Sequence, residues 1–321
     1  MVDFDLRSEF GSLGDLPGSL RSAHERLRAG NPLIQCITNT VVQQFSANVL
    51  LAIGASPAML DHDADAAQFT RVSSGLLVNF GTATNQQFLA ADAATEAALD
   101  DGTPWVLDPV SIGAVDFRTT RIHRAAKSGP TAIRGNASEI AALAGAGAGG
   151  RGVESTDEVD AVVPAAAEFA RSTGAVVAVS GPRDAVVAHI DGVDHVARIA
   201  GGHDFMPLVI GTGCSLGAVT AAYLAGVEKA GAGQADAAAK FTAVIAAHAH
   251  FKVAGQAAAV GANGPGSYSV NFLDALYATT AEQIAEAAVE IGTVAPDSAG
   301  TAAESEAADA AGTAADRGPQ S

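Results

Sequence analysis

Gly211-Thr212-Gly213-Cys214-Ser215-Leu216-Gly217 follows an apolar stretch and opens an Ala-rich segment, and this passage from apolar run to helix sets the reading of the chain. Glycines let the backbone bend tightly and approach a ligand, while the first N–H groups of a helix and its positive dipole end favour an anion. The run therefore reads as an anion cradle. Cys214 lies inside it, where a helix N-terminus lowers a thiol pKa. It can be a nucleophile, a hydrogen-bonding neighbour of a reacting group, or a small buried hydrophobe.

Upstream of the turn, residues 33–37, 76–80, 105–107, 131–133, 175–179 and 185–190 are short apolar or β-branched runs, mostly separated by Ala-rich helical stretches. Near-continuous apolar strands alternating with helices predict a largely parallel sheet covered on both faces, an α/β layered fold. Residues 186–190 and 193–199, joined by Asp191-Gly192, predict a β-hairpin. Helices are expected over 18–28, 215–224, 235–259 and 272–290. The glycine-dense 145–152 stretch reads as a loop between helices. From Thr293 the composition falls to Ala, Gly, Asp, Glu, Ser and Thr without periodicity. The expected organisation is an N-terminal extension (1–17), one domain (18–292) and a disordered tail (293–321).

The 321 residues carry a formal net charge of −17 with 18 Lys and Arg that form no cluster, so a nucleic-acid partner is not expected. Scarce lysine and abundant Asp and Ala fit a protein kept soluble at high salt, and equally a GC-rich genome. The N-terminus lacks the basic and apolar regions of a signal peptide, and no stretch of transmembrane length is free of polar residues. A cytoplasmic location away from membranes follows. Cys36 and Cys214 are expected as free thiols.

Four loops after predicted strands gather the polar residues, and ligands of open α/β sheets bind at the carboxyl ends of strands. The first holds Asn39, a donor and acceptor that also suits an N-cap or turn. The second, Asp108-Pro109-Val110, puts an acid at a strand end. In the third, Arg134 precedes Asn136 and Glu139, which have capping-box spacing. Arg134 suits a phosphate, while Asp108 and Glu139 suit Mg²⁺ or its waters. The fourth is the Gly211 turn itself. GxxxxGK[ST] and HExxH are both absent, so neither a P-loop nor a zinc-protease site is present. His248 and His250, two apart on a helix, cannot share a metal, and no Ser-His-Asp triad is expected.

Several segments together resemble the hydroxyethylthiazole kinases, thiamine-salvage enzymes of the ribokinase-like superfamily. They are Pro32 through Asn39 (PLIQCITN), Asn48 through Met59 (NVLLAIGASPAM), Val106 through Ser111 (VLDPVS), Ile133 through Glu139 (IRGNASE), Gly211 through Cys214 (GTGC), and Gly264-Pro265-Gly266-Ser267 with Phe272 through Leu276. The resemblance runs from about Leu20 to Glu290. It implies a ribokinase-like three-layer α/β fold and ATP-dependent phosphorylation of the primary hydroxyl of 4-methyl-5-(2-hydroxyethyl)thiazole. By motif it puts Asn39, Met59 and Gly211 beside the thiazole, Arg134 and Ser180 on ATP, and Asp108 and Glu139 on Mg²⁺. Cys214 stands where most ribokinase-like sugar kinases carry a general-base Asp. The resemblance further implies a homotrimer with sites between subunits. Two departures lie near the nucleotide: Ile210 stands where the family usually has Thr, and Ser180-Gly181-Pro182-Arg183-Asp184 replaces a Thr-Gly-Glu-type turn. A non-catalytic thiazole-binding protein is the alternative, and it would have no use for Asp108, Arg134 and Glu139 together.

Overall fold

A computed structural model describes residues 14–145, 156–227 and 236–294. The apolar runs form strands β1 (Leu33–Ile37), β2 (Ser56–Ala58), β3 (Gly75–Asn79), β4 (Trp105–Asp108), β5 (Ala132–Asn136), β6 (Val176–Ser180), β7 (Asp184–Ile190), β8 (Val193–Ile199) and β9 (Val289–Thr293). They make one nine-stranded sheet in the order β2-β1-β3-β4-β5-β6-β7-β8-β9. Neighbours from β2 to β6 are parallel. Those from β6 to β9 are antiparallel, and the expected β7–β8 hairpin is among them.

Side chains alternate across each strand, so the sheet feeds two cores. Leu77 and Val106 join one, packed under the helices Leu16–Gly30, Gln43–Ala52, Thr212–Ala225, Ala237–Ala258 and Pro265–Ala278. Leu76, Val78, Trp105 and Leu107 join the other, under Ala66–Val72, Asn85–Asp101, Asp116–Ala126, Ala137–Leu143 and Thr156–Thr173. Because both faces are covered, these strands are apolar throughout, and the polar residues that follow them collect at one edge of the sheet. Among the described residues no helix is long and apolar enough to cross a membrane.

The structure departs from the expected elements in three places. The first helix starts at Leu16, where the Asp15 side chain accepts the Gly18 N–H. The helix expected over 272–290 instead runs from Pro265 to Ala278, and Thr280 caps a new short helix, Ala281–Ala285, with Gln283 completing a capping box. The alternating Val289, Glu290 and Ile291 then form β9 against β8. Finally, the stretch before Gly211 is no strand: Met206–Leu208 is a 3₁₀ turn, with Pro207 removing an N–H that a ladder would need. The 145–152 loop beyond Gly145, and the low-complexity segment beyond Val294, lie outside the described residues.

Candidate active site

The polar ends of β1, β3, β4, β5 and β6 meet the start of the Thr212–Ala225 helix. Gly211, the N-cap, has φ +96°, a left-handed conformation that disfavours any side chain. No side chain caps this helix; the Thr212 N–H donates to Val209 O at 3.4 Å, and the Gly213 and Cys214 N–H groups are left for another acceptor. Gly213 brings the backbone against Arg134: a Cβ there would sit 3.3 Å from Arg134 Nη1. The cradle read from the sequence is therefore present and faces a buried guanidinium.

Below it lies a hydrogen-bonded chain of three strand-end residues. Asn39 Nδ2 donates to Asn79 Oδ1 (3.1 Å) and to Cys214 Sγ (3.3 Å). Asn79 Oδ1 also accepts the Gly81 N–H, which turns its Nδ2 toward Asp108 Oδ2 at 2.9 Å. Asp108 is fully buried and its Oδ2 lies 3.6 Å from Arg134 Nη1, while its Oδ1 has no hydrogen-bond partner among the described residues. Burial pushes the Asp108 carboxyl up to about 7; Arg134 opposes the rise, Glu139 adds to it and the Asn79 hydrogen bond opposes it. Asn79 is a site residue that sequence reasoning missed. Its only local signal is an amide at the end of a strand, and its partners beyond its own turn, Asn39 and Asp108, come from two other strands or loops.

Arg134 donates Nε and Nη2 to Ser180 Oγ, at 3.0 and 2.7 Å, which fixes the guanidinium on β5 against the end of β6. Asn136 and Glu139 form the expected capping box: Asn136 Oδ1 accepts the Glu139 N–H and Glu139 Oε2 accepts the Asn136 N–H, each at 2.9 Å. Arg134, Glu139, Ser180, Gly211, Cys214 and Lys252 all line one cleft of about 350 Å³.

Cys214 corrects one expectation. Burial pushes its thiol up, the Asp108 charge adds to that, and Arg134 with the Asn39 and Asn79 hydrogen bonds opposes it without reversing it. The helix start does not yield a low-pKa thiolate here. Both cysteines are free, and Cys36 in the core is pushed up to about 12 by burial. The spacing Gly213-x-Ser215-x-Gly217 matches a hydrolase elbow in letters, but Ser215 is buried and its hydroxyl donates to Thr212 O at 3.1 Å. It faces its own helix and not the cleft. His248 and His250 belong to separate buried networks, as their spacing requires.

Met59 stands apart. It follows the edge strand β2, half-buried against the first core, and does not line the cleft. For a divalent cation, no group of three His, Cys, Asp or Glu side chains gathers among the described residues. The unpartnered Asp108 Oδ1 and the nearby Glu139 carboxylate nonetheless fit Mg²⁺, which takes one or two carboxylates and completes its shell with water and phosphate oxygens.

Known proteins match this arrangement over most of its length. The model of the "Hydroxyethylthiazole kinase family" matches residues 24–282. The hydroxyethylthiazole kinase of Corynebacterium glutamicum (strain R) is 50% identical over 259 residues, 81% of this chain and 93% of that protein. That of Klebsiella pneumoniae (strain 342) is 48% identical over 261 residues, 81% and 96% of the two chains. Among solved structures, a hydroxyethylthiazole kinase protein from Pyrococcus horikoshii OT3 superposes with a TM-score of 0.72 at 31% identity, covering 86% of this chain and 99% of that one. The pyridoxal kinase of Staphylococcus aureus in complex with ADP shares the fold alone, with a TM-score of 0.52 at 14% identity. On these matches, which span most of the chain, and on its α/β layers, this chain belongs to the hydroxyethylthiazole kinase family.

Proposed function

We propose that this protein transfers the γ-phosphoryl group of ATP to the primary hydroxyl of 4-methyl-5-(2-hydroxyethyl)thiazole, with residues 18–292 as the catalytic domain. The observation that carries the reading is the buried Asp108–Arg134 pair beneath an uncapped helix start: a cation and free N–H groups aimed at one cleft suit a phosphate. A protein that only bound the thiazole would gain nothing from burying that charge.

In a loose phosphoryl-transfer transition state the attacking alcohol loses its proton late, so positioning and charge neutralisation outweigh a strong base. The alcohol oxygen bonds to the γ-phosphorus as the bond to the bridging oxygen of ADP breaks. Arg134 and the N–H groups of the Gly211–Cys214 turn neutralise charge on the phosphoryl oxygens. Ser180 already accepts two guanidinium N–H groups, so its own O–H is free to donate to a phosphate oxygen. Asn39 holds Cys214, and the neutral thiol orients the substrate hydroxyl beside Gly211. Asp108 and Glu139 would hold Mg²⁺, which would supply charge neutralisation to the phosphates when bound.

Met59, which does not line the cleft of its own chain, acts on the thiazole in this reading as part of a homotrimer, where it meets the nucleotide side of a neighbouring chain. The exposed Val41 and Ile210 beside the cleft mouth are the apolar surface such an assembly would cover. Incubation of the purified protein with ATP, Mg²⁺ and the thiazole alcohol should give the phosphorylated thiazole by mass spectrometry, and light scattering should give three times the chain mass. Folded protein that binds the thiazole but makes no product at any salt concentration would favour the binding-protein alternative.

A further inference from the structure

Lys252, on the Ala237–Ala258 helix, has its ammonium buried beside the cleft with all three of its hydrogens engaged. It contacts Gly181 O at 2.6 Å, Pro182 O at 3.2 Å and Asp184 Oδ1 at 3.0 Å, and the residue is 5% exposed. An ammonium has three donors, so none is left for a phosphate. Lys252 therefore cannot bind the nucleotide directly in this arrangement, although it lines the same cleft. What it holds is the turn between β6 and β7, the segment Ser180–Asp184.

The other end of the turn is secured by Asp184. Its Oδ1 also accepts the Gly181 N–H at 2.9 Å, and its Oδ2 faces His248 Nδ1 at 2.7 Å. Three donors thus converge on one buried carboxylate, two of them from the Ala237–Ala258 helix. Pro182 offers no N–H to the turn and its carbonyl is free to face the ammonium. Ser180, which begins the turn, is the acceptor for both Arg134 hydrogen bonds. On the opposite wall, the Gly202 N–H donates to Lys252 O at 2.9 Å, and this segment leads into the 3₁₀ turn before Gly211. One residue joins the two backbone walls of the cleft.

We propose that Lys252 is a positioning residue for the nucleotide: its buried ammonium clamps the Ser180–Asp184 turn and thereby sets the Ser180 hydroxyl and the Arg134 guanidinium that meet the phosphates. The proposal rests on the kinase reading for the identity of the ligand. The clamp is charge-assisted and comes from a helix distant in sequence, so the Gly181 and Pro182 carbonyls are fixed from outside the turn. The thiazole side, around Asn39 and Gly211, is tied to other elements and does not depend on the ammonium.

The test is calorimetric titration of the full chain with ADP and, separately, with the thiazole alcohol, for wild type, Lys252→Met and Lys252→Arg. Loss of a charge-assisted hydrogen-bond set should weaken ADP binding about tenfold or more in Lys252→Met. Thiazole binding should stay at the wild-type value, and Lys252→Arg should recover most of the ADP affinity. In the kinase assay the same variant should raise KM for ATP and leave KM for the thiazole unchanged. A folded Lys252→Met that binds ADP as wild type does, or that loses both ligands alike, overturns the proposal. If Lys252→Met does not fold, the double variant Asp184→Asn/Lys252→Met, which removes both buried charges, is judged by the same two titrations. Wild type that binds ADP without phosphorylating the thiazole refutes the kinase reading, and the ADP titrations of the variants still decide the clamp. Wild type that binds no ADP overturns both.

Discussion

Two buried aspartates frame the cleft, and their surroundings pull them in opposite directions. Asp184 receives a backbone N–H, a histidine and a lysine, and these donors hold its carboxyl well below the usual carboxylate range against the penalty of burial. Asp108 receives one amide at 2.9 Å, lies 3.6 Å from its arginine and keeps an oxygen without a partner, so burial holds it up near 7. A fully satisfied carboxylate is part of the frame. An under-satisfied one beside a cleft carries stored electrostatic cost that a ligand can relieve, and such groups cluster at functional sites.

The contrast can be broken most forcefully at the satisfied end. Asp184→Ala leaves Lys252 buried without its counter-charge and should cost about 3–5 kcal/mol of stability, read as a lowered urea midpoint. Asp108→Asn should act chiefly on turnover. It should cut kcat by roughly 10²–10³-fold, the range for losing preorganised transition-state stabilisation. Its midpoint should fall less than that of Asp184→Ala, since relief of the under-satisfied Asp108 charge offsets part of the cost of leaving Arg134, which Ser180 still holds, without it. A midpoint that falls as far as in Asp184→Ala would erase the distinction between the two sites.

Acid sharpens the comparison from a third region, remote from the cleft. His250 Nε2 faces the Leu276 carbonyl at 2.9 Å, so it must donate, and its Nδ1 accepts the Tyr223 hydroxyl at 2.9 Å. The Tyr223 oxygen then accepts from His24 Nδ1 at 3.0 Å, and both imidazoles are neutral. Burial lowers His24 to about 4 and His250 to about 3. The unfolded chain takes up protons on these groups below about pH 6.5 and the folded chain does not. The histidine contribution to stability is therefore complete above that pH and declines as pH falls toward 4, by about 1–2 kcal/mol per histidine at pH 5, while the raised Asp108 carboxyl, which takes up its proton first in the folded chain, works in the opposite direction. Asp184 adds a loss only below the ordinary carboxylate range. Between pH 7 and 4 the stability of wild type relative to His24→Phe should decline, a difference read from paired denaturant midpoints in which the Asp108 contribution cancels. The smallest effect is expected at the exposed cleft mouth, where Ile210→Thr should change stability by no more than about 0.5 kcal/mol.

Much of this was legible in the chain. Strands buried on both faces read as unbroken apolar runs, so β1, β3, β4, β5 and β6 and the hairpin could be found from residues such as Leu76, Leu107 and Val177. The Asn136–Glu139 capping box is local chemistry and was readable for that reason. What could not be read depends on partners distant in sequence. Asn79 gains its meaning from Asn39 and Asp108, and Lys252 from a turn some seventy residues earlier. The rise of the Cys214 pKa follows from burial and from Asp108, whereas the helix start alone argues for a fall. The last segment misled because Ala-rich periodicity continues across the Thr279-Thr280 break and hides the strand alternation of Val289 to Ile291.

The central claim is that charge and positioning, and not the thiol, drive phosphoryl transfer. It is tested most directly by turnover of Arg134→Ala and Cys214→Ser in one assay with ATP, Mg²⁺ and the thiazole alcohol. The account predicts a loss of roughly 10²–10³-fold for Arg134→Ala and a much smaller loss for Cys214→Ser. Abolished turnover in a Cys214→Ser protein that still binds both ligands, or a trapped phosphocysteine, would contradict it.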